Sequence, residues 1–215
     1  MISTITVAGN SVTLVALPDK PGLRSVEFNF TDAVAIVSSP FTGATQAQQW
    51  PGADMWSGTM TLPPLTQAQA DAWISALMEC RGMANAIQIG DPLKTHPAGA
   101  AGGAPVVNAS GGAMAIGTTT LYTHGWTPSK FRVLLPGDYV QIGYRFHRNL
   151  DVVNTDSSGN AVLSLFPSLR EVPTDGEVLI LNNPRGLFRL AQNKRTWSSD
   201  VTRLTRMSFP ILEYR

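Results

Sequence analysis

The chain has 215 residues, enough for one large or two small domains, and 43% of them are hydrophobic, enough for a substantial core. Charged residues make up only 14% and the formal net charge is +1, which excludes a broad electrostatic footprint for nucleic acid or an anionic membrane. So few charges leave a neutral surface of Ser, Thr, Asn, Gln and Gly, suited to a protein that packs against its own copies or against partners.

Ser3 to Ala16 reads as two strands around a turn at Gly9-Asn10, and Pro18 to Gly22 is a turn by composition. Val26, Phe28 and Phe30 alternate onto one face of a strand. The longest apolar run, Ala33 to Val37, has the length of a strand and falls far short of the ~20 residues a membrane helix needs. Ala44 to Trp50 and Met55 to Leu62 are expected to pair as a hairpin, with Pro51-Gly52-Ala53-Asp54 as its turn. Pro63-Pro64 stops the second of these, and a helix is predicted over 66–82. Thr66 is its N-cap and Gln69 completes a capping box. Ala70, Trp73, Ile74, Leu77 and Met78 form one apolar stripe, and Gly82 supplies the C-terminal stop. A short strand, Ile87 to Ile89, follows.

His96 to Ala104 is a Gly/Ala-rich stretch whose small side chains bury little area, so it reads as a linker. Beyond Pro105 the pattern is strands only: 113–122, 131–135, 139–142, 146–153, 160–166, 177–181 and 187–190, separated by Gly, Asp, Asn and Pro turns. Short strands at this spacing indicate a small barrel or sandwich. A last strand-like segment, Arg203 to Tyr214, is expected to return to the first unit. The fold expected is therefore mainly β with one α-helix. A β-rich unit, residues 1–95 plus 191–215, carries an inserted β-barrel or sandwich unit, residues 105–190, joined by the linker 96–104.

Cys80 is the only cysteine, which excludes an intramolecular disulfide and a cysteine-rich zinc site and fits synthesis in a reducing compartment. The N-terminal residues alternate polar and apolar and lack the basic region and apolar block of a signal peptide, predicting a soluble protein that is not exported by that route. The three histidines, His96, His124 and His147, show no metal-ligand spacing. Asn154 to Gly159 imitates the start of a calcium loop, but its twelfth position is Leu165 where a bidentate Glu belongs, so a hairpin turn explains it better. No Gly-x-Ser-x-Gly elbow, phosphate loop or dinucleotide fingerprint occurs. Asp138, Asp151, Asp156 and Asp175 could pair as glycosidase carboxylates, yet three of them occupy turns, where Asp is favoured for local hydrogen bonds. The sequons at Asn29 and Asn108 are chance matches without a signal peptide. The sequence thus predicts no catalytic residue, cofactor or metal. Trp50 and Trp56 flank the Gly-containing turn at 51–54; they read either as core or as a protein contact or sugar platform, and they are the candidate interface residues.

Leu135 to Gly143, Asn160 to Arg170, Asp175 to Val178 and Gly186 to Leu190 together resemble a small β module in tail-tip proteins of long-tailed bacteriophages. The whole layout resembles that of a distal tail protein, in which an N-terminal β-rich domain with a helix makes a ring and a second β-barrel or galectin-like domain projects outward. The resemblance covers about half the chain by motif, and it implies a virion structural protein, made in the host cytoplasm and placed at the tail tip or baseplate. It also implies a homo-oligomer, a hexameric ring, touching the tail tube protein, the tail hub protein and a receptor-binding protein, with neither nucleic acid nor membrane insertion. Two other classes stay open on the residues: a carbohydrate-binding module recognising host glycans, and an esterase or glycosidase, against which the missing nucleophile motif counts.

Overall fold

A computed structural model describes residues 2–7, 9–199, 201 and 203–215. The chain is mainly β with a single α-helix. The expected N-terminal strands form as β1 (Ile2–Val7) and β2 (Asn10–Val15), an antiparallel pair. Then come β3 (Ser25–Thr31), β4 (Val34–Ser38), β5 (Thr45–Gln49), β6 (Met55–Thr61), α1 (Gln67–Glu79) and β7 (Ala86–Ile89). The barrel strands are β8 (Gly103–Val107), β9 (Thr120–Trp126), β10 (Tyr139–Ile142), β11 (Arg145–Asn149), β12 (Ala161–Phe166) and β13 (Leu179–Ile180). The chain closes with β14 (Gly186–Leu190), β15 (Trp197–Ser199) and β16 (Thr205–Glu213).

The first sheet runs β1-β2-β7-β14-β16-β6-β3, with β15 beside the start of β16. Alternation does the sorting. On β16, Thr205, Met207, Phe209, Ile211 and Glu213 are buried while Arg206 and Ser208 are exposed, as a sheet with one covered face requires. β16 returns to the first unit, as the sequence suggested. β14 also lies there, between β7 and β16, so the boundary placed at residue 190 is corrected: the inserted unit ends by Ile180. Its Gly-Leu-Phe-Arg-Leu run is buried on both faces, the mark of a central strand, and strand chemistry alone does not say which sheet claims it.

The second sheet, β13-β10-β11-β12-β9-β8, is antiparallel throughout. It is nearly closed by the bridge Val106 to Val178 and by the Val107 amide donating to the Glu177 carbonyl at 2.8 Å. Val107, Leu121, Val140, Leu163, Leu165 and Leu179 fill its interior. The stretch 131–135, read as a strand, only bridges Val153 through Leu134. β8 begins inside the segment read as a linker. The rest of that segment is fixed as well: buried Asp138 accepts from the amides of Ala98 (2.8 Å), Gly99 (3.2 Å) and Leu135 (2.8 Å). A Cβ on Gly99 would stand 2.4 Å from the Val133 carbonyl oxygen. The small residues of this stretch serve close backbone approach rather than freedom.

α1 begins at Thr66, whose amide donates to Gln69 Oε1 at 3.0 Å. It ends at Glu79, with Arg81 and Gly82 in the left-handed region beyond, as a C-terminal stop requires. Ala70, Trp73, Ala76 and Leu77 are its buried residues, and Trp73 lies against Phe209 of β16. Ile74 is half-buried, but Met78, placed on the stripe by its spacing, is exposed: the narrow helix contact ends at Leu77. Leu77→Ala is therefore expected to lower stability by about 2–5 kcal/mol, and Met78→Ala by less than about 0.5 kcal/mol, measured by urea unfolding.

Candidate interaction surface

β3 pairs with β6 from Ser25–Thr61 through Thr31–Met55, and β4 with β5 from Val34–Gln49 through Ser38–Thr45. The two ladders form one long hairpin. Its base belongs to the first sheet, and its outer half, β4 and β5, pairs with nothing else among the described residues. The hairpin expected between 44–50 and 55–62 is corrected. The turn is at 39–44, where the Ser39 amide donates to the Ala44 carbonyl at 2.8 Å and Gly43 takes a positive φ. Both segments hold good turn formers. The apolar run 33–37 decides between them, because as a strand it needs a partner and 45–49 is the nearest.

No charged residue lies between Asp32 and Asp54. Every residue of β5 is exposed, and so are Val34, Ile36, Val37 and the tip residue Phe41. Ile36 faces the same side as Ala47, and Val37 the same side as Gln46. At ~3.4 Å per residue the arm extends about 17 Å beyond its base. An isolated two-stranded hairpin with apolar groups on both faces is marginal in water, and such a strand pair offers open edges and uncovered side chains.

Residues 51–54 do turn, the Ala53 amide donating to the Trp50 carbonyl at 3.2 Å, but as an elbow docked on the barrel and not as a hairpin turn. The Gly52 amide donates to Ser168 Oγ at 3.1 Å. Asp54, buried, accepts from the Ser168 amide at 2.6 Å and from its hydroxyl at 2.5 Å. Arg170, its side chain 6% exposed, pairs with Glu213 at 3.1 Å and with Asp54 at 3.9 Å, and donates to the carbonyls of Gly52 and Asp54. Glu213 accepts in turn from the Trp56 amide at 2.9 Å. Around this polar knot lie Phe28, Phe146, Phe166 and Phe188, with Tyr139 stacked on Phe146.

The two candidate tryptophans separate. Trp50 is half-exposed at the root of the arm, its amide donating to the Ala33 carbonyl at 3.0 Å. Trp56 is 3% exposed, and its indole donates to the Phe146 carbonyl at 3.0 Å. It belongs mainly to the seam between the two units, and only an edge of it reaches the wall of a groove shared with Phe30 and Phe166. Phe41, Ile36 and Val37 are fractionally more exposed than either tryptophan. The signal for them in the sequence was the uncharged run between Asp32 and Asp54.

Asp156, Cys80 and His147, among the groups weighed for chemistry, are held by the fold. Asp156 Oδ1 accepts from the amides of Ser158 and Asn160, both at 2.8 Å, and hydrogen bonds led by that from Asn160 lower its pKa: an Asx turn. Cys80 is buried, and desolvation pushes its thiol up to about 11, the opposite of a reactive thiolate. Among the described residues, no three His, Cys, Asp or Glu side chains gather as a metal site would need. His147 is buried, and its Nδ1–H donates to the Pro167 carbonyl at 2.8 Å. Burial lowers its pKa, the Pro167 hydrogen bond and Glu213 oppose that shift, and Arg170 and Arg145 reinforce it. No family model and no curated protein matches the chain.

Two outcomes follow for the seam. Arg170→Met, which leaves Asp54 and Glu213 buried without their cation, is expected to cost about 3–5 kcal/mol in urea unfolding, against less than about 0.5 kcal/mol for the exposed Lys130→Ala. His147 is neutral in the folded state and takes a proton on unfolding below its ordinary pKa. Its contribution is thus present above about pH 6.5 and lost as the pH falls further toward its lowered folded value. Unfolding free energy measured from pH 7 to pH 5 should fall less steeply in His147→Gln.

Proposed function

We propose that the chain is a structural subunit of a bacteriophage tail tip, a distal tail protein whose first sheet builds a ring and whose barrel faces outward. The observation that carries this reading is the arm of β4 and β5. It is uncharged, it is apolar on both faces, and it stands apart from its own fold, so its stable state is one in which another subunit covers it. An arm that leaves one subunit and lies on a different surface of the next makes a head-to-tail contact, which closes into a ring when the rotation allows. The resemblance implies six subunits. The mainly β architecture with an inserted barrel agrees with the layout of that family, and the low charge of the chain suits surfaces that are mostly covered. The tail tube protein, the tail hub protein and a receptor-binding protein are the proposed neighbours, and the role assigns no reaction to the chain.

The second reading, a module for host glycans, is favoured by a groove of about 400 Å³ where Phe30 and Phe166 stand beside Asp32 and Arg148. An aromatic edge next to polar groups is what a sugar ring needs. Loss of glycan binding on Phe30→Ala, with the ring intact, would establish it.

Ile36→Asp combined with Val37→Asp puts a charge on each face of the arm. Native mass spectrometry should show a ring for the parent protein at high concentration and monomer for this variant, with the same unfolding midpoint at dilutions where both are monomeric, because both sites are exposed. A parent that stays monomeric, or a ring indifferent to the two charges, would overturn the reading.

A further inference from the structure

The outer face of the first sheet carries a second surface, at the end of β3 and β6 away from the arm. Ser25 and Thr61 mark this end of the ladder and Thr31 and Met55 the other. Here a groove of about 560 Å³ is lined by Arg24, Lys194, Arg195 and Arg206 and by no acidic residue. Among the described residues none of these four cations is in an ion pair. Thr61 pairs with Ser208 and Ser198 with Arg206 across adjacent strands, so their hydroxyl groups and the Arg206 guanidinium share the groove floor. Arg195 is half-buried at the groove's rim, and its Nη1 donates to the Lys194 carbonyl at 2.6 Å. Trp197 and Pro64, both exposed, add apolar wall.

We infer that this groove binds an extended, carboxylate-bearing peptide segment of a partner protein. Four cations with no ion pair among the described residues, in a chain whose net charge is only +1, are a local complement to acidic side chains. Several features select a peptide over a simple polyanion. The apolar wall has nothing to bind in a phosphate backbone, and hydroxyl groups interleaved with guanidinium groups suit carboxylates at alternate positions of a strand. Among the described residues β15 pairs with β16 alone, leaving an edge along which an extended segment can add main-chain hydrogen bonds. The inference goes beyond ring formation and does not depend on it, since arm and groove leave the sheet at opposite ends.

The test is fluorescence anisotropy on the full chain with a fluorescein-labelled octapeptide alternating Glu and Leu. Saturable binding is expected at low salt, weakening as salt is added. It should be lost when Gln replaces each Glu of the peptide, and reduced about tenfold or more by Arg24→Ala with Arg206→Ala. Lys130→Ala, on the barrel, should leave it unchanged. Should the double variant prove unstable, Thr61→Glu, which sets a carboxylate on the groove floor, is expected to reduce binding in the same way. Absence of binding at low salt, equal binding of the Gln peptide, or affinity indifferent to both sets of groove variants would overturn the proposal. So would an oligothymidylate that binds as tightly as the peptide, which would make the groove a nucleic-acid site. Ring assembly, read by native mass spectrometry with the peptide absent, separates this result from the fate of the arm reading.

Discussion

Everything in this fold leans on the Arg170 guanidinium. It comes from the barrel, yet its partners are Asp54, on the elbow below the arm, and Glu213, at the end of β16. Three segments far apart in sequence meet at one cation that solvent barely reaches. Desolvating so many charges contributes little net stability, because the Coulomb attraction mostly repays the loss of water. What the knot supplies is geometry. Carboxylates on two different segments, the elbow and β16, must both reach one planar group, and Ser168 and the Trp56 amide take up the remaining acceptor oxygens. The direction in which the arm leaves the sheet is set by residues of the other unit.

That constraint changes the meaning of the word insertion. The barrel is an insertion by chain order, since β7 and β14 are neighbours in the first sheet and bracket it. Energetically it is part of the core. Tyr139 and Phe146 belong to the same apolar cluster as Met60, Trp73 and Phe209. One face of the sheet is thus covered by α1 at one end and the barrel at the other. Its opposite face is polar at the β6–β16 end, with Thr61, Arg206 and Ser208, while Val7, Val12, Ala86 and Leu187 form a second apolar cluster at the other end.

How much of this was legible in the sequence depended on whether local chemistry alone decides. The helix was, because a capping residue, an apolar spacing and a stop all act within a turn or two, and only Met78 at its margin was misplaced. Most strands were, because alternation is local. Pairing was not. Residues 51–54 carry good turn chemistry, but they bend to reach Ser168, more than a hundred residues away. β14 reads like any buried strand, and its place between β7 and β16 is set by tertiary contacts. Trp56 and Trp50 look equivalent on either side of a glycine, and only the fold buries one and exposes the other. The Gly/Ala stretch looked loose for the same reason: its partner, Asp138, is remote in the chain.

The placement of β14 and β16 also bears on the order of events during synthesis. The barrel strands, residues 103–180, are contiguous, so the barrel can close as soon as it clears the ribosome. The first sheet cannot: its middle, β14 and β16, is translated after the barrel, while β1, β2, β3, β6 and β7 are already out. Two halves of a sheet must wait, with open edges, for strands that arrive last. Such non-local closure is slow and leaves edges able to pair wrongly. A nearly closed barrel presenting Phe146 and Tyr139 gives those waiting strands an apolar surface to rest on, a template on which the later strands complete the sheet.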